Sequence, residues 1–254
     1  MATGYHAIEF LLWGQDLNGT QAGAGTRPAS DFNVKQCTNG SCARRAAYLR
    51  VVTDLLIDDL SWMVAQWAPE GAARKELLEA PASVGLMRIF TGLGSLSYRE
   101  LAGERMQLGL LINNPEEEHD CFSDNTHNSH YFDQVGIRNA YFGHYRRVDG
   151  SIVSGPSPSD LIKEKAPDTD KALRARLNET LAAMAAMVHR AETVEAYDQM
   201  IGEGNNEGNA LVQAAIDALL AQTKDIERAV SALGLKFIEF EGSDSLDTPK
   251  KVKQ

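Results

Sequence analysis

An all-α fold is predicted by three observations. Apolar residues recur at helical intervals through several long segments, alternation of the strand kind is scarce, and Gly- or Pro-rich stretches separate the helical segments. The 254 residues, 43% of them hydrophobic, can bury a substantial core, and their length fits either one large domain or two modest ones; two packed helical subdomains are expected, over residues 1–150 and 151–254.

The first helix starts at "GYHAIEF", residues 4–10, where His6 and Glu9 stand one turn apart within the apolar run Tyr5, Ile8, Phe10, Leu11, Leu12 and Trp13. Positions i and i+3 share a helix face, so the imidazole and the carboxylate can meet at one point. In "CTNGSC", Asn39-Gly40 can reverse the chain and bring Cys37 and Cys42 together, as a disulfide of an oxidising compartment or as two reduced thiols; Cys121 has no such neighbour. From Cys42 to Trp67 a long amphipathic helix is expected, with Ala47, Val51, Leu55, Leu56, Leu60, Met63 and Trp67 on one packed stripe.

After the break "APEGAARKELLEAPAS", a short helix "VGLMRIFTGLG" and a longer one "SYRELAGERMQLGLLI" are expected on either side of Gly92–Ser95. Residues 113–133, rich in turn formers, read as a loop with a partial helix at its end. A short helix and a Gly-Ser-Pro connection near residues 149–158 mark the subdomain boundary. Two long helices, "DTDKALRARLNETLAAMAAMVHRAETVEAYDQMI" and "GNALVQAAIDALLAQTKDIERAVSALGL", are then expected to fold back as an antiparallel pair. Asp168 and Asp170 are candidate N-caps, and Gly202 and Gly234 candidate helix ends. The tail holds one short alternating stretch at "KFIEF".

The formal net charge of −10 argues against nucleic acid as a partner and favours cations. No apolar run approaches the roughly 20 residues that cross a bilayer, and no basic-then-apolar leader pattern opens the chain. HExxH, GxSxG, the Walker loop and GxGxxG are all absent, which removes the commonest zinc-protease, hydrolase, nucleotide and dinucleotide readings.

His6 with Glu9 is the sharpest candidate, because iron and zinc accept imidazole nitrogen together with carboxylate oxygen, and helical bundles project such pairs inward. Glu104, flanked at helical spacing by Leu101, Leu108 and Leu111, would turn its carboxylate toward the core, where it needs a cation or a donor. Asp31 lies in the loop after the first helix and could reach back. Asp54, Asp58 and Asp59 fit a solvated face. The stretch "EEEHDCFSDNTHNSHYFD" gathers three of the six histidines with six acidic side chains, including His119, His127, His130 and Asp133, a composition suited to cation capture. His144 and His189 fit structural or surface roles.

Several of these segments resemble one family. "GYHAIEFLLWGQDL" resembles the GxHxxE region of the imelysin-like proteins, with Gly4, His6 and Glu9 at the motif positions. "FTGLGSLSYRELAGERM" (90–106), "PEEEHDCFSDNTHNSHYFD" and "EGSDSLDTP" are similar to its iron-regulated branch, so the resemblance runs from Gly4 to about Pro249. It implies two helical-bundle subdomains, export to the bacterial periplasm or attachment at the outer membrane, often through a lipid, and a part in iron acquisition beside other iron-uptake proteins of the envelope. Family members carry a signal sequence and further helices before GxHxxE, so the first subdomain is expected to be incomplete and to expose apolar surface or to dimerise.

In metal-bound relatives, acids from other helices join the motif His and Glu. Glu104 matches one such position and Asp31 another. The resulting expectation is a periplasmic iron-binding protein with His6, Glu9 and Glu104 at the centre and Asp31 and His119 as added ligands. Zinc is the alternative metal, and binding should weaken as acid protonates imidazole. The family is also catalogued with metallopeptidases, in which reading Glu9 is a general base. A third reading is a binding module for a surface protein or a heme-type ligand.

Overall fold

The computed structural model describes residues 2–235 and 240–252. The class is all-α, as expected. Helix α1 spans Tyr5–Trp13, α2 Cys42–Trp67, α3 Ala72–Glu79, α4 Ala82–Ser95, α5 Leu108–Ile112, α6 Thr126–Phe142, α7 Pro158–Lys165, α8 Pro167–Thr193, α9 Tyr197–Met200 and α10 Asn206–Ala232, followed by the short α11 Asp244–Asp247 and α12 Pro249–Val252. Among the described residues no helix is long and apolar enough to cross a membrane.

The centre of the fold is the packed pair α8 and α10, with α6 against α8 and the segment 96–107 against α10. Leu101, Met106, Met184, Met187, Ile216 and Leu219 are fully buried in one apolar cluster, and Phe90, Ile137, Tyr141, Leu173, Leu177 and Ile226 lie in a second. Both clusters draw on either side of residue 150, so the boundary expected there does not divide two cores. The reason is that α8 and α10 supply the surface on which the earlier helices bury their apolar faces.

Gly92–Ser95 do not break the chain. They lie in α4, which continues as a π-helix over Leu96–Gln107 and then as α5. Glycine serves close approach here: a β-carbon on Gly94 would collide with the Phe240 ring, and one on Gly103 with the Ser243 side chain. The wider π turn shifts the buried face relative to an α-helix, bringing Ser97, Leu101, Ala102 and Met106 inward together.

Helix α8 is closed at Thr193 by the Val194 and Glu195 N–H groups, which both return to the Arg190 carbonyl, so it stops short of the expected end near residue 201. That stop frees α9 to turn Tyr197 and Met200 into the core. Asp168 and Asp170 sit in the first turn of α8 rather than at its cap. Asp170 instead accepts hydrogen bonds from Tyr141 (2.9 Å) and Ser159 (2.6 Å). Gly234, left-handed at φ 67°, follows the end of α10 as expected. Residues 144–154, overlapping the expected boundary, form a small antiparallel hairpin, β1 His144–Arg146 with β2 Ile152–Ser154, turned at Asp149-Gly150. Most of the "KFIEF" stretch lies outside the described residues.

Helix α2 forms over the expected residues, but its stripe is uncovered. Val51, Leu55, Leu60, Met63 and Trp67 are exposed, and only Cys42 and Val52 of the helix are buried. Cys37 and Cys42 form the disulfide, with Cα atoms 5.8 Å apart.

This distribution sets the mutational sensitivity. Leu219→Ala, in the α10 core, should cost about 2–5 kcal/mol, whereas Val64→Ala on exposed α2 should change stability by less than about 0.5 kcal/mol; denaturant midpoints at constant slope measure both.

Candidate metal centre

Helix α1 starts after Gly4, whose φ of 87° favours glycine. The turn geometry then places His6 and Glu9 on one face, with His6 Nδ1 3.0 Å from Glu9 Oε2. Glu9 is buried against the loop before α6. Its Oε1 accepts the Phe122 N–H (3.2 Å), the Ser123 N–H (2.9 Å) and the Ser123 hydroxyl (2.7 Å). The same loop brings Asp120 Oδ1 to 3.7 Å from His6 Nδ1. Asp120 is itself fixed, because its N–H donates to Thr126 Oγ1 (2.8 Å) and its Oδ2 accepts the Ser129 hydroxyl. One ligand atom from each of His6, Glu9 and Asp120 therefore lies within 4.8 Å of the others.

A second group adjoins the first. His119, His130 and Asp133 also bring ligand atoms within 4.8 Å of one another. The His6 and His119 ring centroids are 5.5 Å apart and those of His119 and His130 are 6.0 Å apart, so the two groups are contiguous. His130 is fully buried, and neither of its ring nitrogens has a hydrogen-bond partner; His119 Nδ1 is also buried and unpartnered. Burial, reinforced by the neighbouring His119, pushes His130 down to about 3. Burial likewise lowers His119, against the pull of Asp120, and raises Asp133, against the pull of His119. Neutral imidazoles with free lone pairs are the state in which histidine ligates a metal. Such orphaned atoms are costly without a partner, at about 1–3 kcal/mol each, and a metal ion would supply one. The residues present fit a cation that takes mixed nitrogen and oxygen donors.

The expected ligands separate into those that converge and those that do not. His6 and Glu9 lie together, and His119 stands beside them in the second group. Glu104, on the π-helical segment, accepts a hydrogen bond from Ser243 (2.8 Å) and belongs to neither group. Asp31 is buried in its own polar nest, facing Arg27 at 3.2 Å and Arg45 at 3.7 Å and accepting from Asn39 Nδ2 at 2.8 Å. With two guanidiniums beside it, its charge needs no metal. Asp54, Asp58 and Asp59 are exposed on α2, as expected. His130 and Asp133, read from the sequence as suited to cation capture though outside the expected ligand set, join the second group, and Asp120, which was not singled out, joins the first. The three-residue step from His130 to Asp133 on α6 was a usable signal. Asp120 carried none, because the loop's backbone path decides where it points.

Fold and site together define a helical protein with an N-terminal His–Glu pair facing a cluster of acids and imidazoles. The imelysin family model (peptidase M75) matches residues 1–226, so the chain belongs to the imelysin family. No curated protein matches it significantly.

Glu118, in the same loop, is almost fully buried with neither carboxylate oxygen partnered. Burial raises it to about 9, with help from Asp198, Asp124 and Asp120. It therefore keeps its proton in the folded chain while the unfolded chain ionises near 4.5. The unfolded state then binds fewer protons, and stability falls as pH rises from about 4.5 to 9. Metal-free wild type should lose stability relative to Glu118→Gln across that window, as read by denaturant melts at successive pH values.

Proposed function

We propose that the protein binds iron in the bacterial cell envelope, with His6, Glu9 and Asp120 as the primary ligand set and His119, His130 and Asp133 beside it. The observation that carries this reading is the convergence of His6 and Glu9 from α1 with Asp120 from a loop more than a hundred residues later, each held by neighbours before any metal arrives. One imidazole and two carboxylates form a donor set that suits iron, with zinc the nearest competitor. When bound, the metal would supply a Lewis-acidic centre held between α1 and the 118–125 loop. The net charge of −10 favours cation capture. The Cys37–Cys42 bridge supports an oxidising compartment such as the periplasm. The resemblance to the iron-regulated branch supports a role in iron acquisition beside other envelope proteins.

Peptide hydrolysis is the weaker reading of the same site. A general base needs a free lone pair directed at the attacking water. Glu9 Oε1 instead accepts three donors, and Oε2 faces His6. Oε2, grouped with His6 and Asp120, is the oxygen left to share a cation.

Titration of chelator-treated protein with Fe(II), Fe(III) and Zn(II), with elemental analysis, tests the assignment. Wild type should take up metal stoichiometrically with iron preferred, and His6→Ala/Glu9→Ala should lose at least about 100-fold in affinity, roughly 2.7 kcal/mol. Full iron affinity in the double variant would overturn the reading.

A further inference from the structure

A third group of side chains remains outside this centre. Asp16 follows α1, Asp124 ends the loop before α6, and Asp198 lies in α9, yet one carboxylate oxygen of each lies within 4.8 Å of the others. Asp198 is fully buried and neither of its oxygens has a hydrogen-bond partner. Asp124 sits at a left-handed φ of 54° with its Oδ1 also buried and unpartnered. Asp16 Oδ1 accepts the Asn18 N–H at 2.8 Å, which turns the carboxylate in a fixed direction. The side-chain charges that bear on Asp198 are those of Asp124 and Asp16, both repulsive.

Three converging carboxylates with orphaned oxygens need positive charge or protons. The donor set is all oxygen, which selects hard cations and sets it apart from the imidazole-bearing groups. Two oxygens on one calcium ion can be at most roughly 5 Å apart, twice the metal–oxygen distance, so the observed spacing is compatible with a shared ion. Irregular backbone on either side of Asp16 and Asp124 can offer carbonyl oxygens toward the six to eight ligands, roughly, that calcium takes. Magnesium, which demands a near-octahedral shell and keeps its waters, suits these loops less well.

We infer that Asp16, Asp124 and Asp198 form a second, structural cation site that takes calcium. The ion would clamp three segments together: the exit of α1, the loop before α6, and α9. The first two already touch through the Gly25 N–H bond to the Phe122 carbonyl (2.9 Å) and through Gln15 and Glu116 (3.2 Å). The clamped loop is the one whose Asp120, Phe122 and Ser123 shape the iron centre.

Calorimetric titration of the chelator-treated full chain with calcium chloride tests this, on wild type, Asp198→Asn, Asp16→Asn and His6→Ala, the last leaving the Glu9 bonds to Phe122 and Ser123 in place. One calcium per chain is expected, with a rise in wild-type Tm. Affinity should fall at least about 10-fold in each Asn variant and persist in His6→Ala. Asp16→Asn changes a partly exposed side chain, so the test stands if Asp198→Asn fails to fold. No calcium uptake by wild type would overturn the proposal, leaving the three carboxylates to share protons. Uptake lost in His6→Ala but kept in Asp16→Asn would also overturn it, by assigning calcium to the His6 centre. Because the iron titration uses a different metal and leaves Asp16 and Asp198 unchanged, failure of either assignment leaves the other readable.

Discussion

The carboxylate of Glu9 joins the first helix to the rest of the molecule. Its three bonds from Phe122 and Ser123 are charge-assisted, a class worth about 1.5–3 kcal/mol apiece where the partner would otherwise be buried alone. Apolar packing contributes less there, because Tyr5, Phe10, Leu12 and Trp13 are all exposed. What assists is local: the Phe10 and Phe122 rings meet edge-on at 5.1 Å, and the Arg27 guanidinium lies over Phe10 at 5.4 Å. A polar anchor so placed fixes the direction of His6 as well, so the site and the docking of α1 form together.

Around that anchor the fold concentrates its least favourable burial. Glu118, His119, Asp124, His127, His130, Tyr197 and Asp198 each carry a buried polar atom without a partner, and all lie in the loop before α6, in α6 itself or in α9. The α8–α10 pair, with its fully buried Leu and Met side chains, supplies apolar stabilisation that offsets this cost. Stability and binding therefore adjoin: Tyr197 belongs to the same apolar cluster as Met184 and Leu219, and its ring meets that of His130 edge-on at 5.0 Å.

Much of the helical framework was legible because periodicity reports burial directly. Helix α10, with Val212, Ile216, Leu219 and Ile226 at helical intervals, behaves as its pattern says. The same reasoning placed α2 correctly but could not say whether its stripe was covered, since one helix's pattern carries no information about its neighbours. It also misread Gly92–Ser95 as a break in the chain, where the absence of a side chain on Gly94 admits the Phe240 ring. The hairpin went unread because its residues are largely exposed and lack alternation, although Asp149-Gly150 is a common turn signal. At the site, His6 and Glu9 were legible through their spacing. Asp31 and Glu104 had the right chemistry, but Arg27 with Arg45, and Ser243, answer their carboxylates, and those partners come from tertiary structure.

The uncovered face of α2 also decides what light reports about this molecule. All three tryptophans, Trp13, Trp62 and Trp67, are exposed, and two of them ride on α2. Trp13 is 41% exposed, Trp62 61% and Trp67 51%, and none belongs to the two apolar clusters, so tryptophan emission reports the surface and not the α8–α10 core. A blue shift in this protein therefore signals contact on its outside, with Trp62 and Trp67 as built-in probes of anything that settles on α2.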